Sequence, residues 1–372
     1  MICNCLVGVD KMDIPSSFSL AKRPTKKPAN RKDFISFAAV FAAIAVLYLH
    51  VNGAFWNMGV KNPAWPSANV IECVFYFAVP MFVMISGATL LNFFDRYGLA
   101  TYFQRRIERI VIPYIFWSLV LIGANILVGK YKASAVTPTY IFSGLIKGGI
   151  GPNYYFFPLI FCVYLGIPLF AAVRKDIRKK VFTYLAIVGF LLNVAYPFMN
   201  SYFKWDMPQS VSITLINSYT FYIPIGYLIA NEDFKWWVRL PIYALGLFGL
   251  FIHLHGSYVL SMEAGKIVST YKGYLNMPAI MYSAAMFLAV RYAGTFLMKF
   301  KVFSKVIFFA KEATFSSYLF HQYILDKLVE VWMIDKTDIW FRIFFPWFLF
   351  TIIAIPVYFL KKLPGFKEVL PS

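Results

Sequence analysis

The residues best suited to chemistry in this chain are a histidine, a glutamate and a cluster of arginines, all set in or beside long apolar runs. The basic pair Arg31-Lys32 is followed by about eighteen mostly apolar residues ending on His50-Val51-Asn52, the pattern of a membrane span with an ionisable group inside it. A titratable side chain in hydrocarbon is costly unless compensated, so an intramembrane histidine is by default a functional candidate. If the helix enters the hydrocarbon at Phe34, His50 lies about 24 Å along a core roughly 30 Å thick, near its outer face. Glu72, in Asn69-Val70-Ile71-Glu72-Cys73, falls at the outer end of the next apolar run. A carboxylate and an imidazole at one depth can hold the ring in one tautomer and let it act as a general base. The alternative is a histidine that only hydrogen-bonds between helices, beside a glutamate in solvated interface.

At the opposite face, Arg105-Arg106-Ile107-Glu108-Arg109 opens the third apolar run. Arg106 and Arg109 are three apart, so on a regular helix they share a face, where two guanidinium groups can grip phosphate or pyrophosphate. Arginines at an inner helix end are also what topology alone demands. The run Asn153-Tyr154-Tyr155-Phe156-Phe157-Pro158 reads either as an interfacial aromatic belt or as the lining for a sugar. His321, in Ser316-Ser317-Tyr318-Leu319-Phe320-His321, falls at mid-membrane in the ninth run, whereas His253 and His255 read as interfacial. Cys3, Cys5, Cys73 and Cys162 have neither a metal-ligand spacing nor a disulfide framework, and no metal is expected.

The elements that must position these groups follow from composition. A chain of 372 residues that is 60% hydrophobic and only 14% charged leaves its outside apolar, so its solvent is lipid. The net charge of +19 would suggest nucleic acid in a soluble protein, but here the basic residues sit between apolar runs, as topology signals and lipid contacts. The expected fold is therefore all-α: a polytopic bundle of about ten transmembrane helices near 34–52, 70–92, 107–128, 153–172, 181–199, 211–230, 239–257, 274–293, 306–328 and 340–360. Lys and Arg concentrate in alternate connections, which places both termini in the cytoplasm. Residues 1–32 read as a basic, proline-broken cytoplasmic segment without the apolar core of a signal peptide, with Met12 an alternative start. Residues 33–362 read as one transmembrane domain and 363–372 as a short cytoplasmic tail.

Several stretches in order resemble the integral-membrane acyltransferase 3 family, and within it the surface-polysaccharide O-acyltransferases of the enterobacterial-common-antigen acetyltransferase type. The resemblance runs from Asp33 to about residue 360. It rests on Asp33 through His50-Val51-Asn52-Gly53, on Glu72 with Phe75 to Pro80 and Ile85-Ser86-Gly87-Ala88, and on Arg106-x-x-Arg109-x-x-x-Pro113-Tyr114. Tyr154 to Pro158 and Ser317 to His321 complete it. Two positions depart from it: Ala39 stands where many members carry arginine, and Asn153 where many carry histidine.

The resemblance implies a multi-pass protein of the bacterial cytoplasmic (inner) membrane. Such a protein moves an acyl group, usually acetyl, from acetyl-CoA to a hydroxyl of a cell-surface or lipid-linked polysaccharide. Its partners would be membrane lipid, a carbohydrate acceptor and acyl-CoA, with no nucleic acid and no tightly bound cofactor. His50 would be the catalytic base with Glu72 orienting it, and Arg106, Arg109 and Arg105 would hold the donor. Asn52, Ser86, Tyr154, Tyr155 and His321 are the candidates for contact with substrate. A transporter or flippase of a lipid-linked glycan is the competing reading, although no paired halves or matching interrupted spans are visible.

Overall fold

Inside a bilayer no water satisfies backbone N–H and C=O groups, so apolar runs must close their hydrogen bonds internally as helices. A computed structural model describes residues 33–206, 208 and 211–371, and among these every regular element is helical. The basic segment 1–32 and its expected cytoplasmic location lie outside the described residues. The first helix, α1 (Asp33–Val51), continues into a 3-10 turn over Asn52–Trp56. Next come α2 (Trp65–Phe75) and α3 (Ala78–Leu90), one path broken at Tyr76–Phe77 because Pro80 cannot donate back to the Tyr76 carbonyl. They are followed by α4 (Leu99–Arg106), α5 (Ile112–Leu127), the short α6 (Pro138–Lys147), α7 (Phe156–Ala171), α8 (Lys175–Gly189) and α9 (Tyr196–Phe203). The remainder is α10 (Tyr222–Asn231), α11 (Trp236–Phe251), α12 (Ser257–Ala264), α13 (Met277–Leu297), α14 (Lys301–Lys311), α15 (Thr314–Trp332), α16 (Ile339–Leu360) and α17 (Phe366–Val369).

Three of the long paths contain a π turn: Ile107–Val111 between α4 and α5, Phe190–Ala195 between α8 and α9, and Ile252–Gly256 between α11 and α12. Pro113 and Pro197 follow the first two. Each leaves the carbonyl four residues earlier, of Arg109 and Asn193, without its usual donor, and a bulge of one residue lets the chain stay helical around the gap.

The centre of the bundle is α1. Ala38, Ala42, Ala43 and Ala45 are buried on different sides of it, and it touches α2, α3, α13, α14, α15 and α16. A helix apolar all round belongs in the interior, and its small side chains let neighbouring backbones come close. At one end of the bundle Arg178 is buried and its guanidinium donates to the Ala171, Val173 and Leu91 carbonyls, closing the C-terminal ends of α7 and α3 together.

Seven helical paths are long and apolar enough to cross a membrane, which fits an all-α polytopic bundle. Three of the ten expected spans differ from that standard. Phe156–Ala171 has 16 residues, α10 has 10, and α15 has 19 but carries His321, Gln322, Asp326, Lys327 and Glu330. The expected span at 211–230 shortens because Ser212, Thr214, Asn217 and Ser218 form turns before Tyr222. At about 15 Å, α10 is half a membrane thick, and its buried residues are covered by protein. The C-terminal residues do not project: Leu370 is buried beside Tyr114 and Leu319, and Trp117 donates to the Val369 carbonyl at 2.7 Å.

The tightest approach in the bundle is between α3 and α10, where Gly87 faces the Ile223 backbone and Gly226 faces the Met84 backbone. A Cβ at either glycine would overlap a carbonyl that cannot yield, as an end of a flexible side chain could. Gly226→Ala is expected to destabilise the bundle by about 1–3 kcal/mol, the usual range for overpacking. Thermal unfolding in detergent checks this, and an unchanged midpoint would mean that α10 does not sit where described.

Candidate active site

His50 occupies the last turn of α1, and the residue two before it locks that turn in place. Tyr48 donates to the Ile343 carbonyl at 2.8 Å, accepts from Trp347 Nε1 at 2.9 Å, and stacks on Phe75 with ring centroids 3.9 Å apart. The end of α1 is thereby fixed against α16 and α2. The His321 ring lies 4.7 Å from the His50 ring, centre to centre. His321 Nδ1 is 2.8 Å from the Ser317 carbonyl and 2.9 Å from that of Tyr318. Carbonyls only accept, so Nδ1 carries the hydrogen and Nε2 presents a lone pair. That Nε2 is buried and has no hydrogen-bond partner among the described residues. The nearest titratable neighbour of His50 is thus a histidine from α15 in a defined tautomer.

His50 and Glu72 line one cavity of about 400 Å³, together with Leu49, Tyr76, Val79, Tyr155, Phe156, Tyr274 and Tyr318. Burial, then neighbouring Tyr155, pushes the Tyr274 phenol well above its ordinary range, so it stays protonated and can only be a neutral wall or donor. Within this cavity Glu72 is not hydrogen-bonded to His50 among the described residues. Its carboxylate accepts from Asn52 Nδ2 at 3.4 Å, and the Lys272 ammonium, at 3.2 Å from Asn69 Oδ1 and 3.3 Å from Cys73 Sγ, supplies the nearby positive charge. Asn52 is fully buried and engaged at both ends, donating also to the Ala68 carbonyl at 2.9 Å and accepting from Arg342 at 3.4 Å. Arg342, with no exposed surface, also donates to Ser67 Oγ at 2.9 Å and to the Thr337 carbonyl at 3.0 Å. A chain Glu72–Asn52–Arg342 therefore ties α2, the turn after α1, and α16.

The arginines sit where α4 passes into the π turn. Arg106, the last residue of α4, is buried with its guanidinium 5.6 Å from the Tyr164 ring and 5.8 Å from that of Tyr102, and its Nε has no hydrogen-bond partner among the described residues. Arg109 lies in the turn and is exposed, as is Arg105, which stacks over Tyr97 at 4.4 Å. Ser86 donates to the Phe82 carbonyl at 3.0 Å and neighbours Tyr164, so it belongs with Arg106 and not with the His50 cavity. From Phe156 in the cavity to Tyr164 beside Arg106 is eight residues of α7, a rise of about 12 Å. Phe82, whose ring lies 6.0 Å from Phe156, stands along this path.

The remaining candidates divide. Tyr155 lines the cavity, whereas Tyr154 turns away into a cluster with Tyr114, Phe157 and Leu319. His253 is fully buried against Tyr76, on the far side of Cys73, and His255 stacks on Phe251. Sequence reasoning passed over Arg342, Lys272 and Gln322. Arg342 had a signal, being a charged residue four positions into an apolar span. Lys272 and Gln322 had none, since only the packing of distant segments brings them here.

An acyltransferase domain model matches residues 33–361 of the chain. No curated protein and no solved structure matches it.

Replacing Arg342 by methionine would leave Asn52 Oδ1, Ser67 and several carbonyls short of a donor around Glu72. A loss of about 3 kcal/mol in stability is expected. A lowered unfolding midpoint in detergent would show it, and wild-type stability would dismiss the network as a framework.

Proposed function

We infer the reaction from one premise: the chain belongs to the acyltransferase domain family, whose model spans residues 33–361. It is a multi-pass membrane acyltransferase. We propose that it takes an acyl group, acetyl foremost, from acyl-CoA and places it on a hydroxyl of a cell-surface or lipid-linked polysaccharide, from the bacterial inner membrane. The supporting observation is the placement of His50. It stands on a cavity wall with the lone pair of a second histidine beside it, and an aromatic path leads about 12 Å from that cavity to a buried arginine.

In this reading Arg106, with Arg109 and Arg105 at the surface, holds the phosphates of acyl-CoA at the cytoplasmic side. The buried Nε of Arg106, lacking a partner among the described residues, is a donor that an anion can satisfy. The pantetheine arm runs past Tyr164, Phe82 and Phe156, and the thioester ends beside His50. The acceptor hydroxyl gives its proton to a ring nitrogen of His50 as its oxygen attacks the thioester carbonyl carbon. Collapse of the adduct breaks the C–S bond, and the leaving thiolate takes the proton back from His50, giving an ester and free CoA. His321 is assigned the orienting role: its Nε2 accepts a hydrogen bond from the imidazolium as that forms. Glu72, held by Asn52, stands on the same cavity wall.

His50→Ala is expected to lower acyl transfer from radiolabelled acetyl-CoA to surface polysaccharide by about 10²–10⁴-fold in membranes matched for protein, the range for loss of a general base. Undiminished labelling would remove His50 from the chemistry, and a wild type that releases no thiol from acetyl-CoA would favour a glycan transporter. Arg106→Ala is expected to raise the KM for acetyl-CoA with little change in kcat. An unchanged donor KM would take the anion site elsewhere.

A further inference from the structure

His50 has a second cavity on its other side, of about 220 Å³, lined by Asn57, Gln322, Lys336 and Phe341 among others. The two cavities share only two lining residues, His50 and Gly53. Elsewhere they are divided by a hydrogen bond from Asn153 Nδ2 to Gln322 Oε1 at 3.0 Å, with Asn153 on one side and Gln322 on the other. That partition is braced: Tyr318 donates to the Asn153 carbonyl, and Gln322 Nε2 donates to Asp326 at 2.9 Å. Asn153 itself holds a left-handed backbone, φ 67°.

We propose that the acyl donor and the acceptor glycan reach His50 through these two separate chambers, and that Gly53 is the window where they meet; this rests on the acyl-transfer reading above. The first chamber is walled by Leu49, Val79, Phe156 and tyrosines and adjoins the path to Arg106, which suits an acyl chain on a pantetheine arm. The second presents two amides and an ammonium, which suits the hydroxyl groups of a sugar. A hydroxyl oxygen must come within about 3–3.5 Å of the thioester carbon to react, so the chambers have to communicate at the base. Gly53 provides that opening: it adjoins both chambers, and a Cβ built on it meets nothing within 4 Å. The acceptor hydroxyl enters by Asn57 and Gln322, gives its proton to His50, and attacks across the space above Gly53. The chemistry is that of the preceding section, with each substrate given its own route.

The test is steady-state transfer in membranes, with radiolabelled acetyl-CoA as donor and, as acceptor, polysaccharide purified from cells that carry the protein. Asn57 lines only the second chamber and is exposed, so Asn57→Leu is expected to raise the acceptor KM about tenfold and leave the donor KM within twofold. Gly53 needs no left-handed backbone, and Gly53→Leu, which fills the window, is expected to lower kcat for transfer more than a hundredfold with donor KM again within twofold. Thermal unfolding reports whether each variant is folded, and should Gly53→Leu fail that check the decision falls to Asn57→Leu. A donor KM shifted by Asn57→Leu, an unmoved acceptor KM, or wild-type transfer by Gly53→Leu would each overturn the two-chamber arrangement. Thiol release from acetyl-CoA that depends on His50 is followed alongside. Its absence in the wild type would instead strike down the transferase reading, and the chambers with it.

Discussion

A helix surrounded by lipid gains nothing by burying a leucine, since the lipid tails are as apolar as the side chain. What holds such a bundle is close contact and a few polar locks, and around His50 both come from α1 and its neighbours. Its alanines allow neighbours in from every side, and Tyr48 and Asn52, flanking His50, are each tied to a different helix. The imidazole is delivered to a fixed point because the residues before and after it are immobilised, and none of the groups that immobilise it has to take part in the chemistry. Buried polar groups in this position are demanding. Asn52, Glu72 and Arg342 satisfy one another, and an isolated member of the set would be a large penalty in so apolar a setting.

On the proposed reading, binding and reaction are separated along the bundle axis. A charge-rich, partly exposed end can hold an anion and exchange it with water, while the histidine pair lies about 12 Å deeper behind aromatic side chains that exclude water. On the proposed reading, Phe82, Phe156 and Tyr164 would offer an acyl-CoA arm no strong stopping place, and a ligand anchored by its charged end would be positioned at the other end by length. Reach, as much as affinity, would then govern which donors react.

Much of this was legible in the sequence where one residue carries its own physical oddity. His50 and Glu72 were expected at one depth from helix rise alone, and they line one cavity. An intramembrane His321 was visible, but that its ring would rest on His50 was not, because the register between α1 and α15 is set by packing across 270 intervening positions. The same applies to Gln322 and Asn153. Helical spacing placed Arg106 and Arg109 on one face; the π turn that Pro113 opens was not visible, and in it Arg109 is exposed while Arg106 is buried, both still neighbours of Tyr164. Asn52 offered a polar group near the base. The structure commits both ends of its amide to neighbours, since an amide on the turn after α1 is the shortest bridge from Arg342 to Glu72. The expected span at 211–230 failed for a local reason, its run of Ser, Thr and Asn turning before the helix starts.

The π turns have a further meaning when read as insertions. Each is one residue more than an α-helix requires, and in an uninterrupted α-helix that residue would advance every later side chain by about 100° about the axis. In the paths from α4 to α5, from α8 to α9 and from α11 to α12 the bulge takes up that residue locally, so the buried positions continue as one stripe on both sides of it, as Gly246, Gly249, His253, Ser257 and Ser261 do. Arg106 is buried at the entry to one such turn and Arg109 is exposed within it. A lineage of such proteins can gain or lose a single codon at such a turn and keep both halves of the helix seated as they were.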